Sequence, residues 1–410
     1  MAADAESRFG GAFAGIDWAA VDEAAKRHVR QAEWRDKGVQ RIQAARQRRV
    51  QRLQKETEAI DRATRTYAQV DVGDVPVTQL RGTFVRLDTP RPPRHRDREP
   101  QKPDAAARRR AARQDLDSRP PLTRLVHRDT NSLALYMTAV YVAHLETEPG
   151  NAFVNRHDNV FNKGDRASWV NLAGMSTPLE EHARRNRIRR ALDGLQAAGL
   201  ARLKPQGRQG RYDAWGLLKD DGSTSVYRVP GASSGRVVRL PAAFFYNGWH
   251  LVLDPPEIAM LLAIIEMSQF AGVLPHSGQN GLPGVAFPEK ARWERNGITG
   301  EVYEAAHQLH EFDLVSMWDP MPNRRRGKVS PTRRALPTVD TTGEGNIDRV
   351  PYQFYPPAPR TFDRKALEVV TERLTLFGIP YRLDDNSDLI APAELAKIYS
   401  AYKQQAKGTR

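Results

Sequence analysis

Residues 169–203 read WVNLAGMSTPLEEHARRNRIRRALDGLQAAGLARL, and this stretch decides the fold. It has the pattern of two helices around a turn, the second ending at Gly199, which supplies a left-handed C-cap. Apolar residues recur at three- and four-residue spacing along one face of the second helix, namely Ile188, Ala191, Leu192 and Leu195. The stretch therefore predicts a helical hairpin with one buried face, followed by a short strand that starts at Leu200.

The polar side of the second helix carries the first candidate binding residues. They lie largely off the apolar stripe and are expected to project outward together: Arg185, Asn186, Arg187, Arg189 and Arg190. A helix that is buried on one side and cationic on the other is what the DNA major groove accepts. An ordinary solvated helix face is the alternative, and it is the commoner fate of a charge run.

A basic, glycine-containing loop follows the strand, in residues 204–218, KPQGRQGRYDAWGLL. Gly207 and Gly210 interrupt the strand, and residues 212–218 read as a returning strand. Three cations surround the glycines: Lys204, Arg208 and Arg211. Helix, turn, arginine-rich helix, strand, basic loop and strand together predict a winged helix-turn-helix, whose helix enters the groove while the wing reaches neighbouring phosphates. An unrelated small helical domain is the alternative.

The same order of elements recurs downstream. A shift of 114 residues aligns four apolar positions of the first unit with apolar positions of a second one: Ile188 with Val302, Leu192 with Ala306, Leu195 with Leu309, and Leu200 with Leu314. A buried scaffold helix is expected before each unit, at residues 132–146 and 258–270. Thr299 is a candidate N-cap for the aligned helix of the second unit. Internal duplication explains the pattern economically. Chance agreement of a few apolar positions is the alternative.

The two units differ in charge. Under that alignment Arg187 corresponds to Glu301, and Arg190 corresponds to Glu304. Carboxylates repel phosphates, so the second helix is expected to be a poor groove reader. The loop that follows it is strongly basic and adds four candidate DNA contacts: Arg324, Arg325, Arg326 and Lys328. The second unit is therefore predicted to contact DNA through its loop or to serve in dimer formation. The first unit is predicted to recognise the base sequence of the DNA.

Composition agrees with a nucleic-acid partner. The 410 residues carry 63 Lys and Arg against 49 Asp and Glu, a formal net charge of +14, which favours polyanions. The absence of cysteine excludes disulfides and thiol catalysis. No GxxxxGK[ST] phosphate loop occurs, and His307, His310 and Glu311 fit a polar surface better than a metal site. We expect no enzyme activity, cofactor, metal or membrane association, and a cytoplasmic location.

The predicted fold is mainly α with small β wings, an α+β arrangement of tandem winged helix-turn-helix domains. A long basic helix from about residue 19 to 65 and a disordered linker precede them. The helix has a broken apolar seam interrupted by Arg46, Arg49 and Glu56, which favours a solvent-exposed helix over a coiled coil. The predicted divisions are an N-terminal region 1–90, a basic linker 91–120, a first winged-helix domain with a bridging segment 121–250, a second domain 251–358 and C-terminal helices 359–410. The two C-terminal helices are expected at residues 363–377 and 393–407.

The pattern of residues 130–357 resembles tandem winged-helix proteins of actinobacterial plasmids and mobile elements, and at the level of architecture the two-winged-helix plasmid replication initiators. It consists of the arginine-rich helix, GLARL, the basic loop, the bridge VVRLPAAFFYNGWHLVL, an apolar helix and the second unit. The resemblance implies binding to repeated origin sites of double-stranded DNA, a monomer–dimer equilibrium and host replication proteins as partners. A transcriptional repressor that binds a palindromic operator is the alternative function, because the same fold serves both.

Overall fold

The computed structural model shows a mainly helical protein with three small antiparallel sheets, as the predicted α+β class requires. It describes residues 18–70, 76–92, 113–128, 130–175, 180–275, 284–318, 352–358 and 360–376. Side chains of the first helix are described from residue 40 to residue 67. Within these ranges, a single continuous apolar core extends from Leu53 to Leu374.

The first helix, α1, spans Trp18–Val70. The prediction that it is solvent-exposed is wrong for its C-terminal half, where five apolar side chains are buried in the core: Leu53, Ala59, Ile60, Ala63 and Tyr67. The Tyr67 hydroxyl donates to the Leu172 carbonyl oxygen at the centre of this packing. The broken seam is thus a real packing face.

The two arginines that interrupt the seam are themselves buried. Arg49 makes a bidentate ion pair with Glu257, at 2.5 Å from Nη1 to Oε1 and 2.7 Å from Nη2 to Oε2, and Arg46 pairs with Glu311. Burial alone lowers the pKa of Arg49, but the carboxylates of Glu257 and Asp254 outweigh that effect and raise it, so the guanidinium stays charged. Acids on distant helices therefore allow arginine to occupy the seam.

The first unit begins with α4, Thr130–Glu146, a nearly all-apolar helix at the centre of the core. It continues through a short helix and the arginine-rich helix to a two-stranded hairpin: α5 (Trp169–Leu172), α6 (Glu181–Ala197), β2 (Ala201–Arg202) and β3 (Gly216–Leu217). Backbone bonds extend the hairpin, since Tyr227 N donates to Leu217 O at 3.0 Å and Phe153 N donates to Tyr227 O at 3.0 Å. Residues 150–153 and 226–229 thus lie beside β3 as further extended segments.

The second unit repeats this order. Its elements are α9 (Pro255–Ala271), β5 (Val285–Ala286), α10 (Glu289–Asn296), α11 (Gly300–Glu311), β6 (Ser316–Trp318) and β7 (Gln353–Tyr355). The strands form one antiparallel sheet in the order β5-β7-β6. A capping box between Asp254 and Glu257 starts α9, and the Thr299 hydroxyl caps α11, as predicted, by accepting from Val302 N.

The C-terminal ends of α6 and α11, which the 114-residue shift aligns, match in detail. All four aligned apolar pairs are buried. Leu200 N donates to Leu195 O at 2.9 Å, and Leu314 N donates to Leu309 O at the same distance. Between them, Gly199 and Asp313 both have left-handed backbones, with φ of 76° and 58°. Aspartate tolerates this region better than most residues, so the second unit can make the same turn without glycine.

The N-terminal region is joined to the first unit by a strand pair and an ion pair. Strand β1 (Val77–Arg81) runs antiparallel to β4 (Val237–Pro241) in the bridging segment. The Arg81 guanidinium contacts the buried Asp220 carboxylate at 2.7 Å. Further short helices complete this part of the fold: α2 (Gly82–Val85), α3 (Pro121–Val126), α7 (Ala243–Tyr246) and α8 (Trp249–Val252).

The two ends of the predicted linker 91–120 are ordered, which corrects its boundaries. Arg91 and Arg119 lie over the same Trp293 ring, at 4.1 and 5.2 Å from its centroid, and both are buried. Residues 113–117 are helical, whereas residues 93–112 lie outside the described part. The cation–π contacts were not predictable because Trp293 is far away in the sequence.

The first predicted C-terminal helix is present as α12, Ala366–Leu376. It packs on α1, and its Arg373 pairs with Asp313 at the left-handed end of α11. The second predicted helix, residues 393–407, lies outside the described residues.

Candidate nucleic-acid interface

Helix α6 is fixed by its buried face. Ile188, Ala191, Leu192 and Leu195 are all almost completely buried against the core. Gly194 lies where α6 crosses α4, because a Cβ added there would meet the Ser132 hydroxyl oxygen at 2.2 Å. This close crossing fixes which side of α6 faces away from the core.

The five polar residues predicted on α6 divide into two groups. Asn186, Arg187 and Arg190 line a cleft of about 400 Å³ together with Asn131 at the start of α4. Arg190 is exposed, while Asn186 and Arg187 are half-buried. These three side chains form what we call the cleft face.

The other two arginines lie on the opposite flank of α6. Arg185 lies over the Phe161 ring at 5.5 Å and pairs with Glu181 at 2.5 Å. Arg189 lies over the Tyr212 ring at 5.5 Å. All five residues lie off the buried stripe, as expected, but they divide between two flanks of α6. The stacked pair is positioned by aromatic rings, and each flank carries one exposed arginine, Arg189 or Arg190.

The hairpin loop 203–215 is held against α6. Arg211 donates to Gln196 Oε1 at 2.6 Å and to Asp193 Oδ1 at 3.1 Å, and the Tyr212 hydroxyl donates to Asp193 Oδ2 at 3.0 Å. Of the three loop cations predicted to contact DNA, Lys204 and Arg208 are exposed. Arg211 instead joins the loop to α6 on the flank that carries Arg189, so Lys204 and Arg208 lie in a loop that is held beside this helix.

A second loop beside α6 was missed by the sequence prediction. Residues 161–166 are all exposed, and they include Phe161, whose side chain is 48% exposed. Asn159 Nδ2 donates to Tyr212 O at 2.8 Å, which joins this loop to the hairpin. The turn residues in DNVFNKGDR gave a signal for a loop, but nothing local indicated that it lies beside the arginine helix.

His157 anchors this second loop. Its Nδ1 lies 2.7 Å from Ala167 O, and its Nε2 lies 2.7 Å from Glu146 Oε1 at the end of α4. Because both ring nitrogens face acceptors, the imidazolium form satisfies both bonds. Burial alone lowers the pKa of His157, but the bonds to Glu146 and Ala167 outweigh it, so the pKa is raised.

We expect this charged histidine to make stability depend on pH. Because the folded-state pKa lies above the unfolded value of 6.5, its contribution is complete below about pH 6.5 and is lost as pH rises through the folded-state pKa. The measurement is the difference in unfolding free energy between the wild type and His157→Gln from about pH 6 to 9. Taking the difference removes the opposite effect of His144 and His250, whose pKa values burial lowers to about 4 and 3. A difference that does not change with pH would contradict the charged anchor.

In the second unit the two predicted acids are exposed on α11. Glu301 and Glu304 lie off its buried face, which consists of Val302, Ala305, Ala306 and Leu309. The four basic residues expected in the following loop, Arg324, Arg325, Arg326 and Lys328, lie outside the described residues. Thus the charge difference between the two helices is present, and the loop stays a prediction.

The weak metal candidate in α11 has other contacts. His310 Nδ1 lies 3.0 Å from Val315 O, and Glu311 pairs with Arg46. Across the described residues, no cluster of three or more His, Asp or Glu side chains is arranged to hold a metal ion. A search of the same residues finds no helix with the length and apolar character needed to span a membrane.

Comparisons with known proteins give no relative for this chain: no protein-family model, curated protein or solved structure matches it.

Proposed function

We propose that the protein binds double-stranded DNA through α6 and the adjoining hairpin loop. The observation that carries this proposal is the cleft face, where Asn186, Arg187 and Arg190 line one cleft outside the buried stripe of α6. Arginine and asparagine make bidentate bonds to guanine and adenine edges. The loop adds the exposed cations Lys204 and Arg208 beside the helix, and such cations suit backbone phosphates.

We further propose that both units are winged helices. The order helix, strand, helix, helix, strand, strand in the second unit, with the sheet order β5-β7-β6, supports this interpretation. The first unit supports it as well, because an extended segment (residues 150–153), two helices and a hairpin follow α4 in the same order. The C-terminal ends of α6 and α11 also have the same backbone hydrogen bond and the same left-handed residue, which supports the correspondence of the two units. In this fold the helix reads the major groove and the hairpin reaches the neighbouring backbone.

For the biological role we propose initiation of replication at a plasmid or mobile-element origin, with the first unit as the reader of repeated sites. Two linked DNA-binding units in one chain suit sites that are repeated in tandem. The test is whether the gene and its flanking DNA sustain a plasmid that has no other origin. Stable maintenance that is lost with Arg187→Ala/Arg190→Ala supports initiation. Failure to maintain the plasmid, together with repression of a reporter from the same flanking DNA, would assign the protein to transcriptional regulation.

The charge difference between the units leads to a prediction for α11. Changing both Glu301 and Glu304 to arginine is expected either to leave affinity for the cognate site nearly unchanged or to raise non-specific binding through the added charge alone. The measurement is fluorescence anisotropy with cognate and random duplexes of equal length. If Glu301→Ala alone abolished the discrimination between them, α11 would be a reader and the asymmetry would be wrong.

A further inference from the structure

A cationic cavity lies at the junction of the two units, away from α6. Its volume is about 630 Å³, within the range of about 300–1,000 Å³ that small-molecule sites occupy. Among the described residues, its wall comes from residues 81–88, Gly150, Lys219, Asp221, the loop 228–236, Glu266 on α9 and Arg295 on α10. Neither α6 nor the hairpin loop 203–215 contributes a residue, so this site is separate from the proposed DNA surface.

The charges of the wall favour an anion. Six cationic and three acidic side chains line the cavity. Buried Asp220 pairs with one of the six, Arg81, which leaves a surplus of two positive charges. Two arginines, Arg86 and Arg236, act on the buried Glu266 carboxylate, and Arg295 lies close enough to Arg86 to repel it.

Arg86 is the cation that this surplus affects most directly. Burial lowers its pKa and the Glu266 carboxylate opposes this, while the positive charges of Arg236 and Arg295 lower it further. Glu266 itself makes an ion pair with Arg236. The Asp88 carboxylate also favours the charged form of Arg86, but the cations lining the cavity outnumber the acids, and an anion entering the cavity relieves their repulsion.

The loop 231–236 supplies small polar groups next to these arginines. It reads GASSGR, and Gly231, Ser233, Ser234 and Gly235 all line the cavity. Gly82 allows this loop to approach, because Gly82 N donates to Arg236 O at 2.8 Å and a Cβ at residue 82 would lie 3.3 Å from that oxygen. Gly231 N donates to Ser234 Oγ at 2.7 Å, which orders the loop. The serine hydroxyls and the Gly235 backbone amide beside arginine suit phosphate oxygens.

We propose that this cavity binds the polyphosphate group of a nucleoside di- or triphosphate. The volume accommodates a mononucleotide, and the surplus of cations matches a multiply charged phosphate chain. No aromatic ring occurs among the described residues that line the cavity, so nothing there stacks on a base. Recognition is therefore of the phosphates, and adenine and guanine nucleotides bind comparably.

The test is isothermal titration calorimetry of the full chain with pyrophosphate, ATP, GTP and AMP. Pyrophosphate, ATP and GTP bind comparably, and AMP binds more weakly. Arg86→Gln weakens pyrophosphate binding by at least about tenfold, because it removes a charge-assisted hydrogen-bond donor. Arg239→Gln is the matched control, since it removes an exposed arginine on β4 that does not line the cavity and leaves binding unchanged. Arg86→Lys keeps the positive charge but lacks the planar guanidinium, so it is expected to bind pyrophosphate more weakly than the wild type does. This variant tests the role of Arg86 if Arg86→Gln does not fold.

Four results would overturn the proposal. One is the absence of any binding of pyrophosphate or ATP at millimolar concentration. Another is an equal loss in Arg86→Gln and Arg239→Gln, which would mean general attraction to a basic protein. The third is unchanged binding in Arg86→Lys when Arg86→Gln does not fold. The fourth is mutual displacement of pyrophosphate and duplex DNA, which would make the occupant a backbone phosphate of DNA instead of a nucleotide.

Discussion

Replacing Arg187 and Arg190 with alanine is expected to weaken binding to the cognate DNA site by about 1–3 kcal/mol for each arginine that contacts a guanine edge. The physical reason is their shared position on the cleft face of α6, where two planar guanidinium groups stand on the side opposite the core. The measurement is fluorescence anisotropy, with the cognate site first selected from a library of random duplexes. Binding to random duplexes is expected to fall far less.

Lys204→Ala/Arg208→Ala is the control for this experiment. Both residues are exposed in the hairpin loop, and backbone contacts carry no sequence information. This pair is therefore expected to weaken cognate and random binding alike. If the loop pair and the α6 pair gave the same loss on both kinds of DNA, α6 would not carry specificity.

The largest stability effect is expected at the buried ion pair between α1 and α9. Arg49→Ala leaves the Glu257 carboxylate, which is only 1% exposed, without its bidentate partner. Breaking a buried pair in this way costs about 3–5 kcal/mol of unfolding free energy. The measurement is urea unfolding followed by circular dichroism.

Arg52→Ala provides a matched control one helical turn away. Arg52 pairs with Asp254 at 2.7 Å, but its side chain is 42% exposed, so its loss is expected to cost no more than about 1 kcal/mol. Equal and small effects of Arg49→Ala and Arg52→Ala would show that α1 is not part of the folded core. The original expectation of a solvent-exposed basic helix would then be correct for the C-terminal half as well.

Local signals made much of the fold predictable. The buried stripe of α6, the left-handed Gly199, and Thr299 as the cap of α11 each depend on residues close together in sequence. The 114-residue shift was also visible, because equivalent packing positions need apolar residues in both units.

What could not be predicted depends on distant partners. Nothing near Arg49 indicates that Glu257, 208 positions away, neutralises it inside the core. Likewise, Arg211 was predicted to contact phosphate because nothing in the sequence indicates its partners on α6. These partners, Asp193 and Gln196, are polar residues that belong to no recognisable pattern. In the candidate site, the residue types were therefore predictable from the sequence. Which arginines make contacts within the protein, and which do not, was not predictable.

The salt dependence of duplex DNA binding tests the central claim most directly. If α6 and the basic loops neutralise about six phosphates, the logarithm of the binding constant falls against the logarithm of salt concentration with a slope near about −5. The measurement needs only the wild-type protein, a labelled duplex and a series of salt concentrations. A slope of about this size is the predicted result, whereas a slope indistinguishable from zero, or no duplex binding at low salt, would contradict the account.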